Sequence, residues 1–389
     1  MRQARLAATG ILLTIAFFVG TGIEVLGTED ATSLPAHSAM SDVENPYGPH
    51  AVLGSAASPW SGHDEALFAV VDAVTPAPGP IQGWLDGRGF DVARFRSEMS
   101  RVMTVPTHFA PAPPVVAARP TQVAERTAPK VSAAAAVVID EDSAAVLFGK
   151  NEDERRAPAS LTKVATAALA VQSGALDETV HNTVDSARMP GSSLMGLKPG
   201  DEFSLRDLLY GLILPSGNDA AIAIGRYLGD GSDAAFMYQV NALFESLGLD
   251  GSHFTDPHGL GGRYHYTTAT ELALLSRYAM QFPEFRDVVA ARSWTAEGSR
   301  TIQLSNLNPF MDVYPGADGL KTGYTEVAGP TFIGSAERDG RRLYVVLLNS
   351  QDRFGEASAL LDWAFETYDW SEADPARGMR TILNEGDLP

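Results

Sequence analysis

Cysteine is absent from the 389 residues, which excludes a disulfide framework, a thiol nucleophile, a thiolate-bound metal and a lipid-modified N-terminal cysteine. Positive charge is scarce: 29 Lys and Arg stand against 48 Asp and Glu, a net charge of -19. Such a surface repels phosphate backbones and anionic lipid, so nucleic acid is set aside as a partner. No internal repeat is present, and the segment 371–389 is polar with no apolar face. His253, His258 and His265 show no helical spacing with a carboxylate partner, so neither a metal nor any other cofactor is assigned.

What the chain does have begins at its N-terminus. Arg2 and Arg5 precede an uncharged, mostly apolar run from Leu6 to Ile23. As a helix this run would span roughly 27 Å, so a cleavable signal peptide and a retained membrane anchor both fit residues 1–27. Ala31 and Ser33 offer a cleavage point, while Gly10, Gly20 and Gly22 weaken a permanent span. In either case the arginines stay inside and the remainder is exported, with membrane contact only through an uncleaved N-terminal segment. Residues 28–129 carry thirteen of the 24 prolines and much alanine, the composition of a largely disordered tether. Flexible, it would reach roughly 50 to 60 Å.

The texture changes near Val131, and residues 130–370 read as one folded domain ahead of the polar tail 371–389. Ala133 to Asp140 and Ala144 to Gly149 predict a hairpin. Pro158 leads into an Ala-rich run, Ser160 to Gln172, that predicts a helix stopped by Gly174. Helices are also expected from Ser204 to Pro215, over Asp219 to Leu228 and over Asp233 to Leu247. Another should follow the capping pair Thr268 and Glu271 and stop near Pro283. Strands are expected over Leu320 to Thr325, Thr331 to Ala336 and Leu343 to Leu348, then a helix from Gly355 to Thr367. Hairpin, helices and three strands together predict an α+β fold: one five-stranded antiparallel sheet flanked by helices.

Ser160 and Lys163 stand three apart at a helix start, so their side chains share a face. A serine hydroxyl needs a group to take its proton, and a lysine does so only when desolvation or a second cation keeps it neutral. The unpaired N–H groups of a helix start also point where an oxyanion would form. Alone this spacing is equally that of a helix cap beside a solvated lysine. Two further motifs, each present once, change the balance: Ser216-Gly217-Asn218 in a turn before a helix, and Lys321-Thr322-Gly323 opening a strand.

With these three motifs in this order, the chain resembles the penicilloyl-serine transferase superfamily, and within it the low-molecular-weight D-alanyl-D-alanine carboxypeptidases of serine peptidase family S11. Pro158-Ala159-Ser160-Leu161-Thr162-Lys163, Ser216 to Ala221, Asp318 to Thr325, Asn306 to Pro309 and Ala328-Gly329 carry the resemblance, which covers about Val131 to Tyr368. It implies a β-lactamase/transpeptidase-like fold and removal of the terminal D-alanine from peptidoglycan stem peptides, with β-lactams as covalent inhibitors. By the same resemblance Ser160 is the nucleophile and Lys163 its base, Ser216 relays a proton to the leaving group, and Asn218 holds the substrate amide. Lys321 supplies a second cation, Thr322 binds the substrate carboxylate, and the N–H groups of Ser160 and Tyr324 form the oxyanion hole after Gly323. Family members often place an arginine near the start of the last helix to meet that carboxylate, at a spacing that is not strict, and Arg353 is the nearest match. No Glu-x-x-Leu-Asn segment lies between Asn218 and Lys321, which disfavours a β-lactamase. A D,D-endopeptidase acting on crosslinks would use the same residues, and a noncatalytic wall-binding or β-lactam-sensing module would keep the fold without turnover. Relatives often carry a further all-β domain and a C-terminal amphipathic helix; with neither seen after Trp370, anchoring is expected from Leu6 to Ile23.

Overall fold

The computed structural model describes residues 109–115 and 120–370. The leader, most of the proline-rich stretch and the 371–389 tail lie outside the described residues, and among those described no helix is long and apolar enough to cross a membrane.

The elements run, in chain order, β1 (Thr121–Gln122), β2 (Ala135–Asp140), β3 (Val146–Lys150), α1 (Lys163–Gln172), β4 (Thr179–His181) and β5 (Glu202–Ser204). There follow α2 (Leu205–Ile213), α3 (Asn218–Leu228), α4 (Asp233–Leu247), α5 (Ala269–Ala279) and α6 (Pro283–Ala290). The chain continues through β6 (Ser293–Glu297), β7 (Thr301–Ser305), α7 (Phe310–Val313), β8 (Ala317–Thr325), β9 (Gly329–Arg338), β10 (Arg341–Leu348), α8 (Arg353–Thr367) and β11 (Tyr368–Asp369). Five strands form one antiparallel sheet in the order β3-β2-β10-β9-β8, as the sequence predicts.

The sheet is buried on both faces, which explains why β2 and β10 read as unbroken apolar runs rather than as alternating patterns. Val137 and Ile139 of β2 and Tyr344 and Val346 of β10 enter the core shared with α1 to α6. Their neighbours Ala136, Val138, Leu343, Val345 and Leu347 point the other way, into a second core with α7 and α8. At the centre of the first core lies α1, in which every residue from Lys163 to Val171 is buried. Its alanines allow that, since a helix that is small and apolar all round can be surrounded by other elements.

Three differences from the sequence reading have physical reasons. Ser160 does not begin an α-helix: residues Ala159–Thr162 form a 3-10 turn and the α-helical pattern starts at Lys163. The helix after Thr268 does stop near Pro283, at Ala279, but Pro283 itself opens a further helix, α6, at its first position, where its missing N–H costs nothing. The folded unit also reaches upstream of residue 130, because β1 pairs with β11 and the indole N–H of Trp363 donates to Arg126 O at 3.0 Å. The β6–β7 hairpin and the short β4–β5 pair were not expected from the pattern.

Candidate active site

The 3-10 turn is what stacks the nucleophile candidate on the lysine, since side chains three apart eclipse one another in that geometry. Ser160 Oγ lies 2.9 Å from Lys163 Nζ. Ala159, just before it, sits at φ 52°, a left-handed backbone that costs a non-glycine residue about 1 to 3 kcal/mol. The neighbours that hold it there can be traced. Thr162 Oγ1 donates to Ala159 O at 2.8 Å and in turn lies 2.8 Å from His265 Nε2. Thr255 N donates to His265 Nδ1 at 3.1 Å, so the neutral ring carries its proton on Nε2 and donates it to Thr162. The His265 ring stacks on Phe254 at 4.5 Å, and burial lowers its pKa to about 4, keeping it neutral.

Lys163 is fully buried because it opens the central helix. Besides Ser160, its Nζ donates to Asn218 Oδ1 at 2.7 Å and to His258 O at 2.9 Å. Both are acceptors only. These three partners suit the three N–H groups of an ammonium; in the neutral amine Asn218 and His258 would take both N–H groups and the lone pair would be left for the serine hydroxyl. Among the described residues no carboxylate bonds the amine. Burial, and then the Lys321 cation, hold its pKa well below the usual lysine value, while the more distant Asp256 and Asp219 pull weakly the other way.

Asn218 is the first residue of α3, and the turn before it is held closely. Ser216 sits at φ 60°, and a Cβ on Gly217 would lie 2.7 Å from Gly211 O and 2.9 Å from Met195 N, so glycine is required there. Buried Asp219 accepts the N–H groups of Met195, Gly196 and Leu197 at 2.7 to 2.9 Å, fastening the 193–197 loop behind the turn. The Ser216 side chain is nearly buried and makes no hydrogen bond to another protein group among the described residues.

β8 forms the facing wall. A Cβ on Gly323 would stand 3.1 Å from Ser160 N, so the glycine lets the strand lie against the Ser160 backbone. Lys321 is buried, with its Nζ donating to Thr322 O at 2.9 Å; burial, and then the Arg353 charge, lower its pKa to about 7. Arg353, which opens α8, donates through Nη1 to Gly323 O at 2.8 Å and to Thr331 O at 3.2 Å. Tyr324 is exposed. All three motif segments therefore border one cleft, with Ser160, Lys163 and Asn218 joined by direct hydrogen bonds and Lys321 coupled to Lys163 through charge.

The reading by motif missed the loop 256–259, which closes the cleft from below. Asp256 Oδ1 accepts the N–H groups of His258 at 2.9 Å and Gly259 at 2.6 Å, and the ring Nδ1 of His258 lies 2.8 Å from it. Although burial pushes the Asp256 carboxyl upward, the His258 ring and those N–H groups hold it below the usual carboxylate range. The turn presents His258 O to Lys163 and Pro257 O to Thr166 Oγ1. Asp256-Pro257 is a turn signal in sequence, but nothing local says that the turn faces residue 163. Among the described residues no group of three or more His, Asp or Glu side chains is placed to hold a metal ion.

A mixed α/β fold around a five-stranded antiparallel sheet, with a serine and a buried lysine at the head of its central helix, is the architecture of the DD-peptidase and β-lactamase class. The model of the D-alanyl-D-alanine carboxypeptidase family (Peptidase_S11) matches residues 122–352. The chain belongs to that family. It is 37% identical over 238 residues to the D-alanyl-D-alanine carboxypeptidase DacB2 of Mycobacterium tuberculosis, covering 59% of this chain and 81% of the relative. It is 32% identical over 249 residues to DacF of Bacillus subtilis, covering 61% of this chain but only 63% of the relative's length. Among solved structures, the Streptomyces K15 DD-transpeptidase superposes with a TM-score of 0.59 at 29% identity, covering 62% of this chain and all of that one.

Proposed function

We infer that the chain is an exported serine D-Ala-D-Ala carboxypeptidase acting on peptidoglycan stem peptides. The observation that carries this reading is the placement of Lys163: fully buried, held by Asn218 Oδ1 and His258 O, with its Nζ 2.9 Å from Ser160 Oγ.

In this reading Lys163 takes the Ser160 proton as Oγ attacks the carbonyl carbon of the penultimate D-alanine. The N–H groups of Ser160 and Tyr324 receive the oxyanion, each such donor being worth about a hundredfold or more in rate. The C–N bond then breaks, Ser216 passes the proton to the departing D-alanine, and Ser160 is left acylated. Water attacks the ester, giving its proton to Lys163, and the shortened peptide leaves as Ser160 is reprotonated. Asn218 fixes Lys163 and holds the substrate amide, Lys321 and Thr322 attract the terminal carboxylate, and Arg353 supports that wall through Gly323 O. β-lactams would acylate the same serine. Residues 1–27 are proposed as leader or anchor and the proline-rich stretch ahead of the folded domain as tether, placing that domain in the cell wall or periplasmic space.

The test is release of D-alanine from diacetyl-lysyl-D-alanyl-D-alanine by the full chain. Release that disappears in Ser160→Ala, with the melting temperature unchanged, supports the assignment. Binding of fluorescent penicillin without any release would turn it into a sensing or wall-binding module.

A further inference from the structure

The chain just ahead of the domain lies against α5, and one buried side chain accounts for it. Arg277, in the last turn of α5, is only 6% exposed and pairs with no carboxylate among the described residues. The four hydrogen bonds that its guanidinium makes all go to backbone carbonyls. Nη1 donates to Pro113 O at 2.9 Å and Nη2 to Pro114 O at 2.6 Å. From the domain itself it receives only Glu141 O, on Nε, and Asp142 O at 3.3 Å on Nη2.

Burying a cation demands that its N–H groups be met. Proline suits the task from the other side, because it presents a carbonyl and has no N–H of its own to satisfy. Further attachments flank the pair: Gln281 Nε2 reaches Pro111 O at 3.4 Å, and Phe109 and Ala110 pack half-buried against the main core.

We propose that Arg277 and the end of α5 form a receptor for the chain's own proline-rich segment, so that residues 109–115 are a docked strap and the tether begins upstream of Phe109. The strap also fixes where the tether leaves the domain. Glu141 bonds Arg342 at the start of β10, whereas Thr331, which pairs with Gly323 beside the nucleophile, lies across from Leu348 at the end of β10. Those positions are roughly 20 Å apart along the strand. The strap is therefore docked at one end of the sheet and the cleft lies at the other.

The test is chymotryptic cleavage after Phe109 in the folded full-length chain, compared with Arg277→Met, which keeps the aliphatic stem and removes the donors. Losing two charge-assisted hydrogen bonds should raise the open population, and with it the cleavage rate, roughly tenfold or more. Pro113→Lys, which sets a second cation against Arg277 from the strap side, should do the same with the far-ultraviolet circular dichroism unchanged. It also provides the reading if Arg277→Met fails to fold. Equal cleavage of the parent chain and Pro113→Lys would overturn the proposal.

Discussion

In the proposed mechanism Lys163 serves as the base because burial at the head of the central helix, with a second lysine nearby, lowers its pKa. Lys321 contributes from across the cleft. Its cation disfavours a second positive charge on Lys163, and it is itself charged mainly below about pH 7. The sign follows directly: removing the Lys321 charge raises the Lys163 pKa, so the amine is protonated at higher pH than before. Lys321→Met should therefore shift the acid limb of Ser160 acylation upward in pH. The pH profile of the second-order rate of penicillin labelling measures this, and an unmoved limb would mean that burial alone keeps Lys163 neutral.

At the scale of elements, the nucleophile turn is a strained piece of backbone held between β8, β9 and the 256–259 loop. Thr331 Oγ1 donates to Pro158 O at 3.1 Å, and Gly259, at φ +98°, has its missing Cβ position 1.9 Å from Ala159 O. Gly259→Ala can neither adopt that backbone freely nor avoid the carbonyl. Displacing the turn by about an ångström should slow Ser160 labelling roughly a hundredfold, together with a lower melting temperature, as read by stopped-flow fluorescence and circular dichroism. An unchanged labelling rate would mean that the loop does not support the turn. How much of this was legible depended on whether the determining contacts were local. The central helix, the five strands and the three motifs show in sequence because periodicity and turn residues are local signals. The 3-10 start was hidden because Ser160 to Thr162 is equally compatible with an α-helix, and only Gly259 and His265, about a hundred residues on, select the tighter turn. Helix α6 was hidden because Pro283 signals a stop and a first helical position equally well. The Asp256 turn was visible as a turn, but its partner Lys163 was not.

For the whole molecule, the charge on Lys163 is a consequence of folding. Asn218 and His258 reach it only when segments 55 and 95 residues away converge, and the burial that lowers its pKa exists only in the folded domain. In the unfolded chain the amine is an ordinary lysine and binds a proton that the folded state does not. Stability should therefore rise with pH over the window between the lowered folded pKa and the unfolded value near about 10. The account stands most directly on the ionisation of that one amine. Nitrogen-15 resonances of the lysine side chains, with Lys163 assigned by its loss in Lys163→Met, should show a neutral amine at pH 7 in the folded protein. An ammonium signal for Lys163 at that pH would contradict the account.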